Sequence, residues 1–276
     1  MDRRQTPANG RVAAAHLRGK VTAERFVKGE ARRVAVPVAD LLHEPHGRRE
    51  RQVLLGDPLT VFERREGWAF VQSGKDGYVG YLRAGQFDDR ADPSHWVTAA
   101  ATHLYPEPDM KRIERARLPF GARLAVVAEA NARFLETEDG FVPRAHLAAL
   151  DWHFRDPVAV ALLFLGTPYL WGGNSRDGID CSGLVQAACL ACGIACPADS
   201  DQQAETAGQP LSDAAPLQRG DLVFWKGHVA MVVTHNRLIH ANAHHMAVAC
   251  EPQDEAEARI AGQGNGPVLT RRRLIA

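Results

Sequence analysis

The sequence of 276 residues predicts two small all-β barrels followed by an α+β domain. Short apolar segments separated by Gly, Pro and Asp recur about every ten residues between 31 and 90, which is typical of a small barrel. A similar pattern follows 63 residues later (Leu41 to Leu104, Asp76 to Asp139), as expected for two copies of one domain. After residue 150, helical patterns come first and strand patterns second, which favours an α+β domain.

These patterns divide the chain into four segments. We expect an N-terminal extension at 1–30, a first barrel at 31–90, a second barrel at 91–150 and the α+β domain at 151–276. The strands expected in the first barrel are Val34–Val38, Gln52–Gly56, Leu59–Phe62, Trp68–Val71 and Gly77–Leu82.

Charge and cysteine content argue against several classes of protein. The 33 basic and 33 acidic residues balance, so the whole chain has no electrostatic preference for nucleic acid or an anionic membrane. The start of the sequence lacks an apolar signal region, and no stretch approaches the roughly 18 apolar residues that span a bilayer. Five cysteines, an odd number, fit a reducing compartment. We therefore expect a cytoplasmic protein without nucleic-acid or membrane partners.

The α+β domain is organised around a glycine-rich turn at 172–183, which delivers Cys181 to the start of an apolar helix. An earlier helix is expected at 158–165, after a cap at Asp156. A cysteine at a helix N-terminus faces unpaired N–H groups and the positive end of the helix dipole, which lower the thiol pKa. Cys181 is therefore a candidate nucleophile, and the alternative is a buried structural cysteine.

Two downstream histidines complete a candidate catalytic set. The run 220–233 predicts a β-hairpin with its turn at Lys226–Gly227 and His228 at the start of the second strand, and His240 lies in the next apolar run. A nucleophilic thiol needs a base, and the base needs a third group that fixes its tautomer. Cys181, His228 and His240 fill these three roles in that order.

This assignment depends on the length of one loop. If residues 234–236 form a three-residue loop, Ala230 lies opposite His240, and His228 lies diagonally from His240 on the same side of the sheet. Diagonal neighbours are roughly 7–8 Å apart, which long side chains can bridge. A two-residue or four-residue loop would place the two histidines on opposite faces.

Four segments of the sequence resemble, in order and spacing, the NlpC/P60 cell-wall cysteine peptidases. They are Tyr169-Leu-Trp-Gly-Gly, Asp180-Cys-Ser-Gly-Leu, Gly220-Asp-Leu-Val-Phe-Trp with the following Gly-His-Val, and Ile239-His240-Ala. The resemblance implies a papain-like core that works through an acyl-enzyme without a metal or organic cofactor. It also implies cleavage of cell-wall peptides between γ-D-glutamate and a diamino acid, meso-diaminopimelate or L-lysine.

The resemblance implies further site residues in the α+β domain. Tyr169 would lie close to the thiol and help to hold the oxyanion. Asp180 and Ser182, which flank the nucleophile, and the pair Asp199 and Ser200 would contact the substrate. The alternatives are a helix cap for Asp180 and a first-turn hydroxyl for Ser182, and either role is compatible with substrate contact.

Both barrels resemble bacterial SH3 domains, as in Gly-Trp-Ala-Phe-Val followed by Asp-Gly-Tyr-Val-Gly-Tyr in the first. In relatives with two such barrels, the first supplies an acidic residue and a tyrosine that recognise the free amine of an N-terminal L-alanine. The matching residues are Glu50 and Tyr81. The alternatives are a solvated glutamate, a packed barrel tyrosine, and a barrel that only binds the wall or acts as a spacer.

We therefore expect an endopeptidase that acts on muropeptides with a free N-terminal L-alanine, recycled inside the cell. The competing interpretations are a papain-like amidase or acyltransferase with another substrate, and a non-catalytic protein that binds wall peptides. The spacing of Cys189, Cys192 and Cys196 allows a metal site, but we expect reduced thiols because no histidine is near in sequence. We expect His235, His244 and His245 at the surface. The sequence does not indicate an oligomeric state.

Overall fold

The computed structural model describes residues 1–212 and 214–274. The chain divides after Leu150 into two units. Strands dominate the first unit, and the second combines helices with an antiparallel sheet.

The first part of the first unit is a curved antiparallel sheet of seven strands in the order β5-β4-β8-β7-β6-β3-β9, with a short parallel pair, β1-β2, in front of it in sequence. The strands are β1 (Val12–Ala14), β2 (Arg25–Val27), β3 (Glu30–Val34), β4 (Val38–Leu42), β5 (Arg49–Leu54), β6 (Pro58–Arg65), β7 (Trp68–Ser73), β8 (Val79–Arg83) and β9 (Phe87–Asp88).

One expected strand is wrong. The sequence predicted a single strand from Val34 to Val38, but β3 ends at Val34 and β4 begins at Val38. Pro37 lies at the break, where a residue without an N–H cannot continue a strand ladder. The other four expected strands overlap β5, β6, β7 and β8.

The N-terminal segment packs against the seven-stranded sheet. Val12, Ala14 and Leu17 are buried in one apolar cluster with Phe62 and Phe70 of the barrel strands. Burial of apolar side chains is the main favourable contribution to folding, so removal of this segment would expose part of the barrel core.

Residues 93–150 form three further small sheets, β13-β10-β17, β11-β12 and β14-β15-β16. Their strands are β10 (His95–Val97), β11 (Ala101–Leu104), β12 (Ala116–Pro119), β13 (Arg123–Leu124), β14 (Val126–Glu129), β15 (Phe134–Thr137), β16 (Gly140–Pro143) and β17 (Leu147–Ala149). Leu55 belongs to the core of this part. The Gly56 backbone lies so close to Arg123 that an added Cβ would be 2.2 Å from the Arg123 carbonyl oxygen. The φ of Gly56, +78°, also favours glycine.

In the second unit, residues 151–212 and 214–274 form a six-stranded antiparallel sheet in the order β20-β25-β21-β22-β23-β24, a two-stranded pair β18-β19, and four α-helices. The elements are α1 (Pro157–Leu162), β18 (Asn174–Ser175), β19 (Gly178–Ile179), α2 (Cys181–Ala191), α3 (Ser200–Thr206), β20 (Gln209–Pro210), β21 (Leu222–Trp225), β22 (His228–Thr234), β23 (Arg237–Asn242), β24 (Ala247–Pro252), α4 (Gln253–Ile260) and β25 (Thr270–Arg273). A π-helical turn, Ala261–Asn265, follows α4.

The start of α1 is as predicted, since the Asp156 carboxylate accepts a bond from the Val158 N–H. The helix ends at Leu162, earlier than expected. The hairpin turn at Lys226–Gly227 is confirmed, because Trp225 pairs with His228. Within the described ranges, every helix is too short or too polar to cross a membrane.

Candidate active site

Cys181 is the first residue of α2, and the Asp180 side chain caps that helix. One Asp180 carboxylate oxygen accepts bonds from the Gly183 N–H (2.7 Å) and the Ser182 hydroxyl (3.1 Å). The other accepts from the Gly172 N–H at 2.8 Å, which ties the glycine-rich turn to the helix start. A cap of this kind stabilises a helix by about 1 kcal/mol. Asp180 and Ser182 therefore have structural roles that hold Cys181 in place.

The ionisation of Cys181 differs from the sequence prediction. Burial of the thiol raises its pKa to about 12, the charge of Asp180 adds to the effect, and hydrogen bonds from the N–H groups of Val229, Ser182 and Cys181 oppose it. The predicted lowering of the pKa is therefore wrong, because burial outweighs the helix terminus. At neutral pH Cys181 is a thiol that needs a base.

His228 and His240 form a direct hydrogen bond on one side of the sheet. His228 Nε2 lies 2.7 Å from His240 Nδ1, and the ring centroids are 5.0 Å apart. The Val229 N–H, next to His228 in β22, bonds to the Cys181 sulfur, so α2 delivers the thiol to the start of the strand that carries His228. The predicted diagonal contact between the two histidines is confirmed.

The register arises differently from the prediction. A two-residue turn, His235–Asn236, joins β22 to β23, so the expected three-residue loop is wrong. An extra residue, Val233, forms a β-bulge in β22 and compensates for the shorter turn. Met231 then lies opposite Ile239, which is the register that puts both histidines on the same side.

Both histidines are neutral at neutral pH. The pKa of His228 is lowered to about 3, mainly by burial. His240 and Arg259 also lower this pKa, whereas the negative charge of Glu251 raises it. Burial also lowers the pKa of His240, although Glu251 raises it. A neutral imidazole with its Nε2 bonded to His240 has only Nδ1 left to accept a proton. His228 Nδ1 is therefore the candidate base.

The raised pKa of Cys181 leads to a spectroscopic prediction. We expect no thiolate absorbance from Cys181 at about 240 nm between about pH 5 and pH 9. A thiol with a pKa of about 12 stays protonated throughout this pH range. The measurement is a pH titration of the wild type minus that of Cys181→Ala. A thiolate step at acidic or neutral pH would show instead a preformed thiolate–imidazolium pair.

Tyr169 lies close to Cys181 and Asp180. Burial raises the pKa of its hydroxyl to about 12, and the charges of Cys181 and Asp180 add to this, so the hydroxyl stays a hydrogen-bond donor. Tyr169 and His228 also line a cavity of about 360 Å³, together with His244 and Arg259. This volume is within the usual range for a small-ligand site.

The structure adds a residue that the sequence analysis did not identify. Glu251 of β24 places Oε1 2.5 Å from His240 Nε2, and the Arg259 guanidinium of α4 bonds to the same oxygen. His240 is fully buried and Glu251 is 8% exposed. The hydrogen-bonded chain therefore runs from Arg259 through Glu251 and His240 to His228.

Asp199 and Ser200 lie half-buried at the start of α3. Buried Gln203, on the same helix, donates to the carbonyl oxygens of Ser182 (3.0 Å) and Pro197 (2.9 Å). This amide ties the start of α3 to the first turn of α2, and therefore to Cys181.

Comparison with known proteins assigns the family. The NlpC/P60 family profile matches residues 166–259, which include Cys181, His228, His240 and Glu251. A gamma-D-glutamyl-L-lysine dipeptidyl-peptidase of Bacillus subtilis (strain 168) is 31% identical over 219 residues, an alignment that covers 70% of this chain and 72% of that protein. The chain belongs to the NlpC/P60 family. It is a cysteine peptidase, as the sequence predicted.

Three further similarities extend beyond the NlpC/P60 domain. Residues 41–87 match the bacterial dipeptidyl-peptidase SH3 domain, which confirms an SH3 domain in the first unit. The dipeptidyl-peptidase 6 of Lysinibacillus sphaericus is 28% identical over 239 residues, with 76% of this chain and 86% of that protein covered. The crystal structure of an NlpC/P60 family protein from Bacillus cereus ATCC 10987 has the same fold, with a TM-score of 0.75, 22% identity, and coverage of 90% of this chain and 100% of that one.

In the SH3 domain of this NlpC/P60 protein, Glu50 is a buried, paired carboxylate rather than a solvated one. Its Oε2 accepts bonds from Arg3 (2.8 Å) and the Tyr78 hydroxyl (3.0 Å), and His43 and Arg48 lie 3.6 and 3.4 Å from Oε1. Burial raises the pKa of Glu50, but the bonds from Arg3 and Tyr78 outweigh it and hold the pKa below its usual range. Glu50 is therefore ionised.

Tyr81 lies elsewhere on the sheet. Its hydroxyl accepts a bond from the Asn9 side chain at 3.1 Å, and its ring packs against Phe70 with centroids 5.2 Å apart. The tyrosine that bonds Glu50 is Tyr78. The N-terminal segment thus reaches both residues predicted to bind substrate, through Arg3 and Asn9.

The other four cysteines are free thiols, and three further histidines lie at the surface as predicted. Cys189 and Cys196 are buried thiols, and Cys192 and Cys250 are half-buried. His235, His244 and His245 are exposed. Within residues 1–212 and 214–274, no three His, Cys, Asp or Glu side chains cluster in a way that would hold a metal ion.

Proposed function

We propose that this peptidase hydrolyses the amide bond between γ-D-glutamate and the following diamino acid of cell-wall peptides, through an acyl-enzyme on Cys181. The observation that carries the mechanism is the 2.7 Å hydrogen bond between His228 and His240, at the start of the strand whose Val229 N–H bonds to the Cys181 sulfur. The substrate class is supported by the names of the relatives, which refer to the γ-D-glutamyl-L-lysine bond.

The proposed reaction has two steps. The Cys181 sulfur attacks the γ-carbonyl carbon while His228 Nδ1 takes the thiol proton, and the same proton then goes to the departing amine as the C–N bond breaks. Water, deprotonated by His228, hydrolyses the thioester and releases the γ-carboxylate. The Tyr169 hydroxyl and the N–H groups at the start of α2 are proposed to stabilise the oxyanion.

The two parts of the substrate, the leaving diamino acid and the γ-D-glutamyl group, are proposed to bind on opposite sides of the Cys181 thiol. The leaving diamino acid is proposed to occupy the cavity beside His228, since that side chain protonates the departing amine. The γ-D-glutamyl side is proposed to contact Asp180 and Ser182 at the start of α2 and Asp199 and Ser200 at the start of α3.

We also propose that residues 91–150 form a second SH3-like barrel. The repeated Asp-Gly-aromatic-Val motif starts at Asp76 before β8 and at Asp139 before β16. In both places it lies between two paired antiparallel strands, β7-β8 and β15-β16. This equivalence supports the internal repeat.

Glu50 is the proposed receptor for the free amine of an N-terminal L-alanine, with Tyr81 as a second contact. An ionised, buried carboxylate favours an ammonium group over an acetylated amine, because the neutral amide has no positive charge to pair with it. The substrate amine would compete with Arg3 for this carboxylate. A preference for free amines suits small muropeptides in intracellular recycling rather than intact wall.

The test compares L-Ala-γ-D-Glu-meso-diaminopimelate and the L-lysine tripeptide with their N-acetylated forms, with products identified by mass. We expect L-Ala-D-Glu and the free diamino acid from the free tripeptides, and rates on the order of 10- to 100-fold lower for the acetylated forms. Glu50→Gln should bring the two rates within a few-fold of each other.

Asp57→Asn is the matched control. Asp57 is another buried carboxylate of the first barrel, paired with Lys75 at 3.0 Å, and it should leave the preference unchanged. Equal cleavage of free and acetylated peptides by the wild type would remove Glu50 from recognition. If every γ-D-glutamyl peptide stays intact, the substrate class is wrong.

A further inference from the structure

Glu251 lies where it contacts the second histidine from the neighbouring strand. β23 and β24 pair with His240 opposite Ala249 and Leu238 opposite Glu251, so Glu251 is diagonal to His240 on the same side of the sheet. Its Oε1 lies 2.5 Å from His240 Nε2. The contact is buried, since His240 is 0% and Glu251 is 8% exposed.

The charge of Glu251 determines which nitrogen of His240 carries the proton. Burial raises the pKa of Glu251, but the hydrogen bond from His240 and the positive charge of Arg259 hold it below its usual range. An ionised carboxylate only accepts hydrogen bonds. His240 must therefore donate through Nε2–H, and in the neutral ring Nδ1 is then an acceptor.

The tautomer of His240 in turn determines which nitrogen of His228 carries the proton. The 2.7 Å contact between His228 Nε2 and His240 Nδ1 needs one donor, and with Nδ1 of His240 as acceptor the donor is the Nε2–H of His228. His228 then has its lone pair on Nδ1, the nitrogen available to Cys181. Glu251 therefore fixes the tautomer of His228 indirectly, through its hydrogen bond with His240.

We propose that Glu251, held by Arg259, is a positioning residue that fixes the Nε2–H tautomer of both His240 and His228 and so presents the bare Nδ1 of His228 to the Cys181 thiol. This inference rests on the proposed catalytic role of the two histidines. The competing role is structural: a buried ion pair that fastens α4 to β24.

Removal of the carboxylate separates these roles. In Glu251→Ala, His240 Nε2 faces the Arg259 guanidinium, which only donates, so Nε2 becomes an acceptor and the proton moves to Nδ1. His228 Nε2 must then accept, which puts the His228 proton on Nδ1 and removes the base. By analogy with other tautomer-breaking variants, we expect kcat to fall on the order of 10²- to 10⁴-fold, with KM nearly unchanged.

The direct readout is nuclear magnetic resonance of protein labelled with 15N-histidine, in which ring-nitrogen shifts report the tautomers without any substrate. The wild type is expected to show Nε2–H on both histidines, and Glu251→Ala to show Nδ1–H on both. The control is Asp221→Ala, which removes a buried carboxylate paired with Arg273 at 2.8 Å in the same unit. It should lower the melting temperature but keep the wild-type tautomers and kcat.

Each outcome decides the inference. Wild-type protein with Nδ1–H on either histidine overturns it, even if Glu251→Ala does not fold. A folded Glu251→Ala that keeps the wild-type tautomers, or loses no more kcat than Asp221→Ala, leaves Glu251 with a structural role only. If no γ-D-glutamyl peptide is cleaved, the proposed function fails, but the tautomers can still be read.

Discussion

Replacement of Cys181 by alanine is expected to lower the rate of tripeptide hydrolysis by on the order of 10⁴-fold or more. Cys181 is the residue proposed to form the acyl intermediate, and the loss of a nucleophile typically removes nearly all catalysis by the set to which it belongs. Tyr169 and the helix terminus, which are proposed to stabilise the oxyanion, remain in place, but without the thiol that oxyanion does not form efficiently. The measurement is release of free diamino acid under saturating tripeptide.

The control for this substitution is Cys189→Ala. Cys189 is a fully buried thiol on the same helix, so both variants remove one buried sulfur from α2. We expect near wild-type kcat from Cys189→Ala once folding is verified. Retention of more than a few per cent of the activity by Cys181→Ala, or an equal loss in both variants, would contradict the assignment of the nucleophile.

His240→Ala is expected to lower kcat on the order of 10²- to 10⁴-fold with little change in KM. His240 hydrogen-bonds to His228, the proposed base, at 2.7 Å and can hold the orientation of its ring. Because His240 is fully buried, it has no exposed surface for the substrate to contact. Loss of the group that fixes a catalytic imidazole costs rate rather than binding. Steady-state kinetics on the free tripeptide separate the two parameters.

Leu238→Ala is the matched control for His240→Ala. Leu238 is fully buried on the same strand and packs in the core with residues of α4, so its truncation costs about 2–5 kcal/mol of stability while both histidines are retained. We expect the folded Leu238→Ala variant to keep most of its kcat. A His240→Ala variant that is folded and fully active would remove His240 from the mechanism.

The parts of the site that follow from local sequence were predictable. The glycine-rich turn, the Asp180 cap and the start of α2 at Cys181 depend on residues within one turn of each other. The pairing of the histidines was predicted correctly, although for an incomplete reason: the turn is shorter than expected and the bulge at Val233 compensates. Hydrophobic alternation does not reveal a bulge, so loop counting alone could not have distinguished these cases.

Features that depend on tertiary burial were not predictable. The pKa of Cys181 is raised because tertiary packing buries the thiol, and a prediction from the helix dipole alone leaves out the desolvation cost of the thiolate. Glu251 was missed because its contact with His240 requires the register of β23 and β24. A sequence signal exists, since Glu251 is the acidic residue of an otherwise apolar strand that follows the His240 strand.

The environment of Glu50 shows the same limit. Its partner Arg3 is 47 residues away in sequence, and the tyrosine that bonds it, Tyr78, is three residues before the tyrosine that the resemblance indicated. The N-terminal segment had no recognisable pattern, yet its apolar residues complete the barrel core. Such long-range packing is decided by the folded barrel and not by local propensity.

The central claim is that Cys181 forms a thioester with the γ-carboxyl group of D-glutamate. The most direct measurement is digestion of L-Ala-γ-D-Glu-meso-diaminopimelate in the presence of hydroxylamine, because an acyl-enzyme partitions between water and an added nucleophile. We predict L-Ala-γ-D-glutamyl hydroxamate from the wild type, increasing with hydroxylamine concentration, and none from Cys181→Ala. Hydrolysis that gives only the free acid at every hydroxylamine concentration, or a hydroxamate on the L-alanine carboxyl, would contradict the account.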